Sequence, residues 1–77
     1  MEKIIEILKG IRPGTAIDEN TRLLDSKIID SMAMISLVSE LSDTFDIDIS
    51  ATDVVPENFD TPASIAALVK RLEEEED

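Results

Sequence analysis

The sequence predicts an all-α fold, a small four-helix bundle with three longer helices, one short helix and a long loop between the first two. Apolar residues recur at helical spacing in three separate segments. Only Ile47 and Ile49 alternate with polar residues as in a strand, and no second strand is available to pair with them. With 77 residues the chain can bury one modest core, so we expect a single domain over residues 1–77.

The first helix is predicted over residues 2–9. Glu2 near its start and Lys9 near its end suit the helix dipole. Gly10 is predicted to end the helix, and Pro13-Gly14 marks a break. The apolar face of this helix is formed by Ile4, Ile5, Leu8 and Ile11.

A connection covers residues 12–30. Leu23 and Leu24 are predicted to anchor it to the core, and a short helical turn is possible around Ala16–Asn20. A structureless segment of this length either counts against the helix assignments or marks a functional loop.

The second helix is predicted from Ser31 to Phe45. Asp30 and Ser31 both favour helix N-termini, because their side-chain oxygens can accept hydrogen bonds from free backbone N–H groups there. The predicted core stripe consists of Ile35, Val38, Leu41 and Phe45, flanked by Met34 and Leu37. The opposite side is predicted to carry Ser36, Ser39, Glu40 and Asp43.

Beyond the second helix, Ile47 and Ile49 are predicted to occupy a loop that places both isoleucines in the core. Asp53 is predicted to cap a short third helix over residues 54–59. That helix can accommodate Pro56 only in its first turn.

The fourth helix is predicted to begin at Pro62, with Thr61 as its cap. Its core face consists of Ile65, Leu68, Val69 and Leu72. The acidic run from Glu73 to Asp77 is unfavourable at a helix C-terminus, so it is predicted to fray.

Composition excludes several classes of function. Eighteen acidic against seven basic residues give a net charge of −11, which disfavours nucleic acid and anionic lipid as direct partners. The chain has no cysteine and no histidine, so the usual nucleophile–base pairs and most zinc sites are ruled out and we expect no enzyme. No apolar run could span a membrane and no secretory signal is present, so we expect a cytoplasmic protein.

Two polar motifs have competing interpretations. Residues 46–57 mimic a calcium-binding loop, but Ala51 stands where the sharp turn needs glycine, so we expect no metal site. Ser31 could be a simple helix cap. A helix start also favours phosphate, and a serine there is well placed to carry a phosphodiester.

The run Ile29-Asp30-Ser31-Met32, followed by an Ile-Leu-Val helix face, resembles the attachment motif of acyl carrier proteins. The resemblance covers almost the whole chain: its length, element order, acidity and the Pro56–Thr61 segment before the last helix. It implies that Ser31 carries a covalent 4′-phosphopantetheine arm. Asp30 would orient the serine, and Met32 would contact the foot of the arm.

The resemblance implies a free-standing, monomeric carrier that holds acyl or aminoacyl groups as thioesters and delivers them to biosynthetic enzymes. Its partners would be a phosphopantetheinyl transferase, a ligase or acyltransferase, and a downstream synthase. The implied partner-binding residues are Met32, Ala33, Met34, Ser36, Glu40 and Asp43.

This sequence departs from fatty-acid carriers, which have acidic residues at the positions of Ala33 and Ser36. The departure favours a dedicated carrier for a polyketide-like or aminoacyl pathway. Asp30-Ser31-Met32 and Phe59–Pro62 resemble D-alanyl carriers, which is the specific aminoacyl alternative. From another class, an acidic helical adaptor without a prosthetic group would bind a basic partner through the second helix.

Overall fold

The computed structural model describes residues 2–75, and its regular structure is helical throughout. The predicted all-α fold is confirmed, with three longer helices and one short one. The elements are α1 (Glu2–Ile11), α2 (Ser31–Phe45), a 3₁₀ turn (Ala51–Asp53), α3 (Pro56–Phe59) and α4 (Pro62–Glu75). Among these described residues, every helix falls short of the length and apolarity needed to cross a membrane.

One apolar core joins the helices to the loops between them. Leu8 of α1, Leu37 of α2 and Ile65 of α4 are fully buried. Leu23 from the long loop and Phe59 from α3 are also fully buried. Since removing apolar surface from water is the main driving force for folding, the loop is as much part of the core as the helices are.

Helix α1 is longer than the sequence predicted. It continues through Gly10 to Ile11, so the predicted end at Gly10 is wrong. The Arg12 N–H still donates to the Leu8 carbonyl at 2.9 Å, which extends the helical hydrogen bonding past the glycine. Gly10 itself is exposed and unpacked. The helix continues through it because one glycine carries only a small propensity cost, which the packing of Ile4 and Leu8 on the opposite, buried face outweighs.

Helix α2 has the predicted bounds but a different buried face. Ile35 was predicted in the core stripe and is 70% exposed, whereas the flanking Leu37 is fully buried. The buried positions of the helix, spaced four residues apart, are Ala33, Leu37 and Leu41. Two residues along a helix differ by about 200° around its axis, so burying Leu37 turns Ile35 to solvent.

The long loop between α1 and α2 is tied to the α3–α4 junction. The Leu23 N–H donates to the Asp60 carbonyl at 2.7 Å, and the Ala63 N–H donates to the Glu19 carbonyl at 3.1 Å. No helical turn forms around Ala16–Asn20; instead the Asp18 carboxylate accepts from the Asn20 N–H at 2.8 Å. The predicted anchoring by Leu23 is confirmed.

The segment after α2 agrees with the prediction for its isoleucines and differs at Asp53. Ile47 is buried and Ile49 is half-buried against the core, as predicted. Asp53 does not cap α3: it lies in the 3₁₀ turn, where its carboxylate accepts from the Ser50 N–H at 3.2 Å. Helix α3 begins at Pro56, whose fixed φ suits the first helical position.

The start of α4 is confirmed as predicted. Pro62 is its first residue, and the Thr61 hydroxyl oxygen accepts from the Ser64 N–H at 3.1 Å. The four predicted core residues of this helix are all buried. Glu73–Asp77 was predicted to fray; the structure has Glu73–Glu75 in the helix, and the last two residues lie outside the described range.

The buried face of α2 predicts a contrast between two neighbouring positions. Leu37→Ala should lower the free energy of unfolding by about 2–5 kcal/mol, because it opens a cavity in the core. Ile35→Ala should change it by less than about 0.5 kcal/mol, because this side chain is mostly in solvent. Urea denaturation of both variants followed by circular dichroism measures the difference. Equal losses would contradict the assigned face.

Candidate functional site

The start of α2 is capped by Asp30, not by the serine that follows. Asp30 has an extended backbone, and its Oδ1 accepts from the Ala33 N–H at 2.8 Å. Ser31 is the first residue of the helix and is exposed. The prediction that Ser31 lies at or just inside a helix start is therefore confirmed, and a capping role for its hydroxyl is not required.

The second carboxylate oxygen of Asp30 binds an arginine from the end of α1. Arg12 Nη2 lies 3.1 Å from Asp30 Oδ2. Arg12 Nε donates to the Ile28 carbonyl at 2.8 Å. One guanidinium thus joins the end of α1 to the last residues of the long loop.

These contacts set the charge state of Asp30. The hydrogen bond from the Ala33 N–H is the largest influence on the pKa of Asp30 and lowers it; partial desolvation opposes this effect, and Arg12 lowers the pKa further. Hydrogen bonds and an opposite charge both favour the ionised form of a carboxyl group. Asp30 is therefore a carboxylate at neutral pH, and an ionised cap suits a helix N-terminus.

The residues that precede Asp30 hold the end of the long loop in place. Ile29 is buried, and its N–H donates to the Leu23 carbonyl at 3.1 Å. Lys27 has a positive φ of 59°, and its N–H donates to the Leu24 carbonyl at 3.1 Å. The chain enters α2 from a fixed direction, which leaves Ser31 on the surface.

An open groove of about 620 Å³ lies beside Ser31, between α2 and the segment that precedes α3. Its walls are mainly apolar. The lining residues are Leu24, Lys27, Ile29, Asp30, Ser31, Met34, Val54, Val55 and Pro56. An exposed serine at a helix start beside such a groove has room for a flexible group attached to its hydroxyl.

The predicted partner-binding residues lie in different places around α2. Met32, 79% exposed, and Asp43 are on the outer side. Met34 lines the groove beside Ser31, whereas Ser36 and Glu40 line a second groove of about 600 Å³ between α1 and α2. Ala33 is only 7% exposed and belongs to the core. Its prediction as a partner-binding surface residue is therefore wrong.

Three residues of this region were not identified from the sequence as part of the site. Arg12 binds Asp30 from 18 positions away, a distance over which no local pattern predicts contact. The sequence did not mark Lys27 as part of the site, because no pattern in the neighbouring residues predicted a left-handed backbone there. Ile35 was assigned to the core and instead lies exposed one turn after Ser31.

Comparison with known proteins assigns this arrangement. Residues 2–69 match the family described as the phosphopantetheine attachment site. The chain belongs to the phosphopantetheine-binding carrier family. It therefore bears a covalent 4′-phosphopantetheine, whose terminal thiol holds acyl groups as thioesters, and it acts as a carrier, not as an enzyme.

Named relatives of this carrier include D-alanyl carrier proteins. That of Lactobacillus acidophilus is 36% identical over 72 residues, covering 94% of this chain and 89% of that protein. That of Bacillus cereus is 31% identical over 75 residues, covering 95% of this chain and 91% of that protein.

A chain in a solved structure is also similar to this carrier. The structure is described as the crystal structure of an FAD-dependent dehydrogenase, and the matched chain gives a TM-score of 0.81 at 30% identity. The match covers 87% of this carrier and 99% of that chain. The acidic adaptor without a prosthetic group, which the sequence left open, is set aside by the family.

The Asp30 contacts predict a pH-dependent effect on stability. Asp30→Asn keeps a capping side chain but loses the charge, so the variant should have a lower thermal midpoint than the parent at pH 7. Because folding lowers the pKa of Asp30, this advantage of the parent is present above the unfolded pKa of about 3.9 and is lost as the pH falls through the lower folded value.

Thermal unfolding of both proteins between about pH 7 and pH 2.5 spans the unfolded pKa and measures the effect. Asp25→Asn is the matched control, because it removes the same charge from the same loop. The Asp25 carboxylate forms an exposed ion pair with Arg22 at 3.4 Å. A difference between Asp30→Asn and the parent that stays constant across this pH range would contradict the ionised cap.

Proposed function

We propose that Ser31 is the attachment residue of the phosphopantetheine arm and that this carrier delivers a small aminoacyl group, D-alanine or a close analogue. The observation that carries the proposal is the position of Ser31, exposed at the first residue of a helix whose cap is already supplied by Asp30. The family match includes this position.

The hydroxyl of Ser31 is free for modification because the local structure does not depend on it. The helix start is held by the Asp30 carboxylate, and the loop end by Arg12 and Ile29. Ser36 and Ser39 are exposed as well, but they lie inside α2. A helix start also favours the negative charge of a phosphodiester, whereas a helix interior offers no such preference.

The aminoacyl cargo is supported by the relatives and by the surface of α2. The relatives at 36% and 31% identity are both named D-alanyl carrier proteins. The outer side of α2 near Ser31 presents Met32 and Ile35, both mostly exposed, and the first turn of the helix has no acidic residue. Since charge complementarity governs partner choice and encounter rate, an uncharged start favours dedicated partners over those that recognise acidic carriers.

The partner surface follows from the reach of the arm. A group attached at Ser31 enters an enzyme only if the surface around Ser31 contacts that enzyme. Met32 and Ile35 lie three residues apart on one face of α2, so they supply an apolar contact to a transferase or a D-alanine-activating ligase. We propose that the carrier meets these partners in the cytoplasm.

The attachment is tested by incubating the apo-protein with a broad-specificity phosphopantetheinyl transferase and coenzyme A. The parent should gain the mass of one arm, because Ser31 presents a free hydroxyl. Ser31→Ala should gain none while keeping its helical circular dichroism. Ser39→Ala is the matched control, since it removes a second exposed hydroxyl of α2 outside the predicted partner-binding residues and should load normally. Loading of Ser31→Ala to the parent's level would refute the attachment site.

The cargo is tested in a second stage on the loaded protein. A D-alanine-adenylating ligase with ATP and D-alanine should form a thioester, which hydroxylamine releases as D-alanine hydroxamate. A malonyl-transferring acyltransferase with malonyl-coenzyme A is the comparison. Loading by the acyltransferase alone would refute the aminoacyl assignment and leave the attachment at Ser31 intact.

A further inference from the structure

Lys27 occupies a backbone conformation that lysine rarely adopts. Its φ of 59° lies in the left-handed region, which costs an L-residue with a Cβ roughly a factor of ten in population relative to glycine. It ends a single turn in which the Ser26 N–H donates to the Arg22 carbonyl at 3.1 Å, a position where glycine is favoured. The backbone conformation at this position favours glycine, so it does not explain why residue 27 is a lysine.

Asp46 is the other described non-glycine residue with positive φ, and its case is different. It terminates α2 as a C-cap, with its N–H donating to the Ser42 carbonyl. Aspartate also tolerates the left-handed region better than lysine. The choice of lysine at position 27 thus requires a reason in its side chain.

Lys27 is exposed and borders the groove beside Ser31. The ionisable residues that line this groove are Lys27 and Asp30. Both oxygens of Asp30 are already engaged, one by the Ala33 N–H and the other by Arg12. Lys27 therefore supplies the cation that the groove offers to an additional anion.

We propose that Lys27 is a positioning residue for the prosthetic arm: its ammonium group pairs with the phosphodiester on Ser31 and directs the arm over the apolar walls of the groove. This inference rests on the proposed attachment at Ser31. A phosphodiester carries a full negative charge at neutral pH, and lysine binds phosphate as a point charge. The apolar part of the arm then faces Met34, Val54 and Val55.

The pairing explains why a strained lysine is kept in a chain with only seven basic residues. The ion pairs of residues 2–75 otherwise involve Arg12, Arg22 and Arg71. A positive charge next to the phosphodiester favours one orientation of an otherwise flexible arm. Because the pair is exposed, a docking enzyme can displace it at low cost.

The test compares apo and fully loaded proteins by ¹H–¹⁵N NMR at low ionic strength, with loading confirmed by intact mass. The variants are Lys27→Gln, Lys27→Gly and Lys27→Arg, with Lys70→Gln as control for the same charge change on α4. On loading, the amides of Val54 and Val55 should shift in the parent, in Lys27→Arg and in Lys70→Gln. In Lys27→Gln and Lys27→Gly these shifts should fall by about two- to five-fold, the range expected for an exposed ion pair.

The glycine variant separates positioning from folding. Lys27→Gly should raise the thermal midpoint, because it relieves the left-handed strain, and yet show the same reduction of the arm-dependent shifts as Lys27→Gln. Equal shifts in Lys27→Gln and the parent, or an equal loss in Lys70→Gln, would overturn the inference while leaving Ser31 as the attachment site. Failure of the arm to load at Ser31 would overturn the proposed function itself.

Discussion

The carboxylate of Asp30 is the contact on which the start of α2 depends. One oxygen accepts from the Ala33 N–H and fixes the first turn of the helix, while the other binds Arg12 and fixes the end of the long loop against α1. Each contact is modest, because the Asp30 side chain is exposed and its charge is screened by water. Together they determine where the first helical residue points. Ser31 is left with no structural task, which is what the proposed attachment of the arm at this residue requires.

Hydrogen bonds and buried side chains fix the long loop to the rest of the fold at several points. Its middle is bonded to the α3–α4 junction through Leu23 and Asp60, and its end is bonded to α1 through Arg12 and Ile28. Leu23 and Ile29 also place the loop in the core. A segment fixed in this way can form one wall of the groove beside Ser31. The same loop therefore serves the fold and, if the arm is attached at Ser31 as proposed, its presentation.

Local signals in the sequence predicted the parts of the fold that local chemistry decides. Asp30 before α2, and Thr61-Pro62 before α4, are capping patterns whose mechanism needs no distant partner, so both helix starts were predicted correctly. The face of α2 was harder, because Ile35 and Leu37 are both apolar and periodicity cannot choose between two overlapping stripes. The packing of α1 and α4 makes that choice. Arg12 and Lys27 act through tertiary contact and backbone strain, which no short pattern encodes.

The rate of arm transfer tests most directly the claim that the Asp30–Arg12 contact presents Ser31. Arg12→Gln removes the pair with Asp30, and Arg22→Gln removes two pairs, with Asp25 and Asp60; both variants change the net charge equally. With the transferase and coenzyme A at pH 7, Arg12→Gln should slow the transfer several-fold while its circular dichroism stays helical, and Arg22→Gln should match the parent. Transfer to Arg12→Gln at the parent's rate would contradict the account.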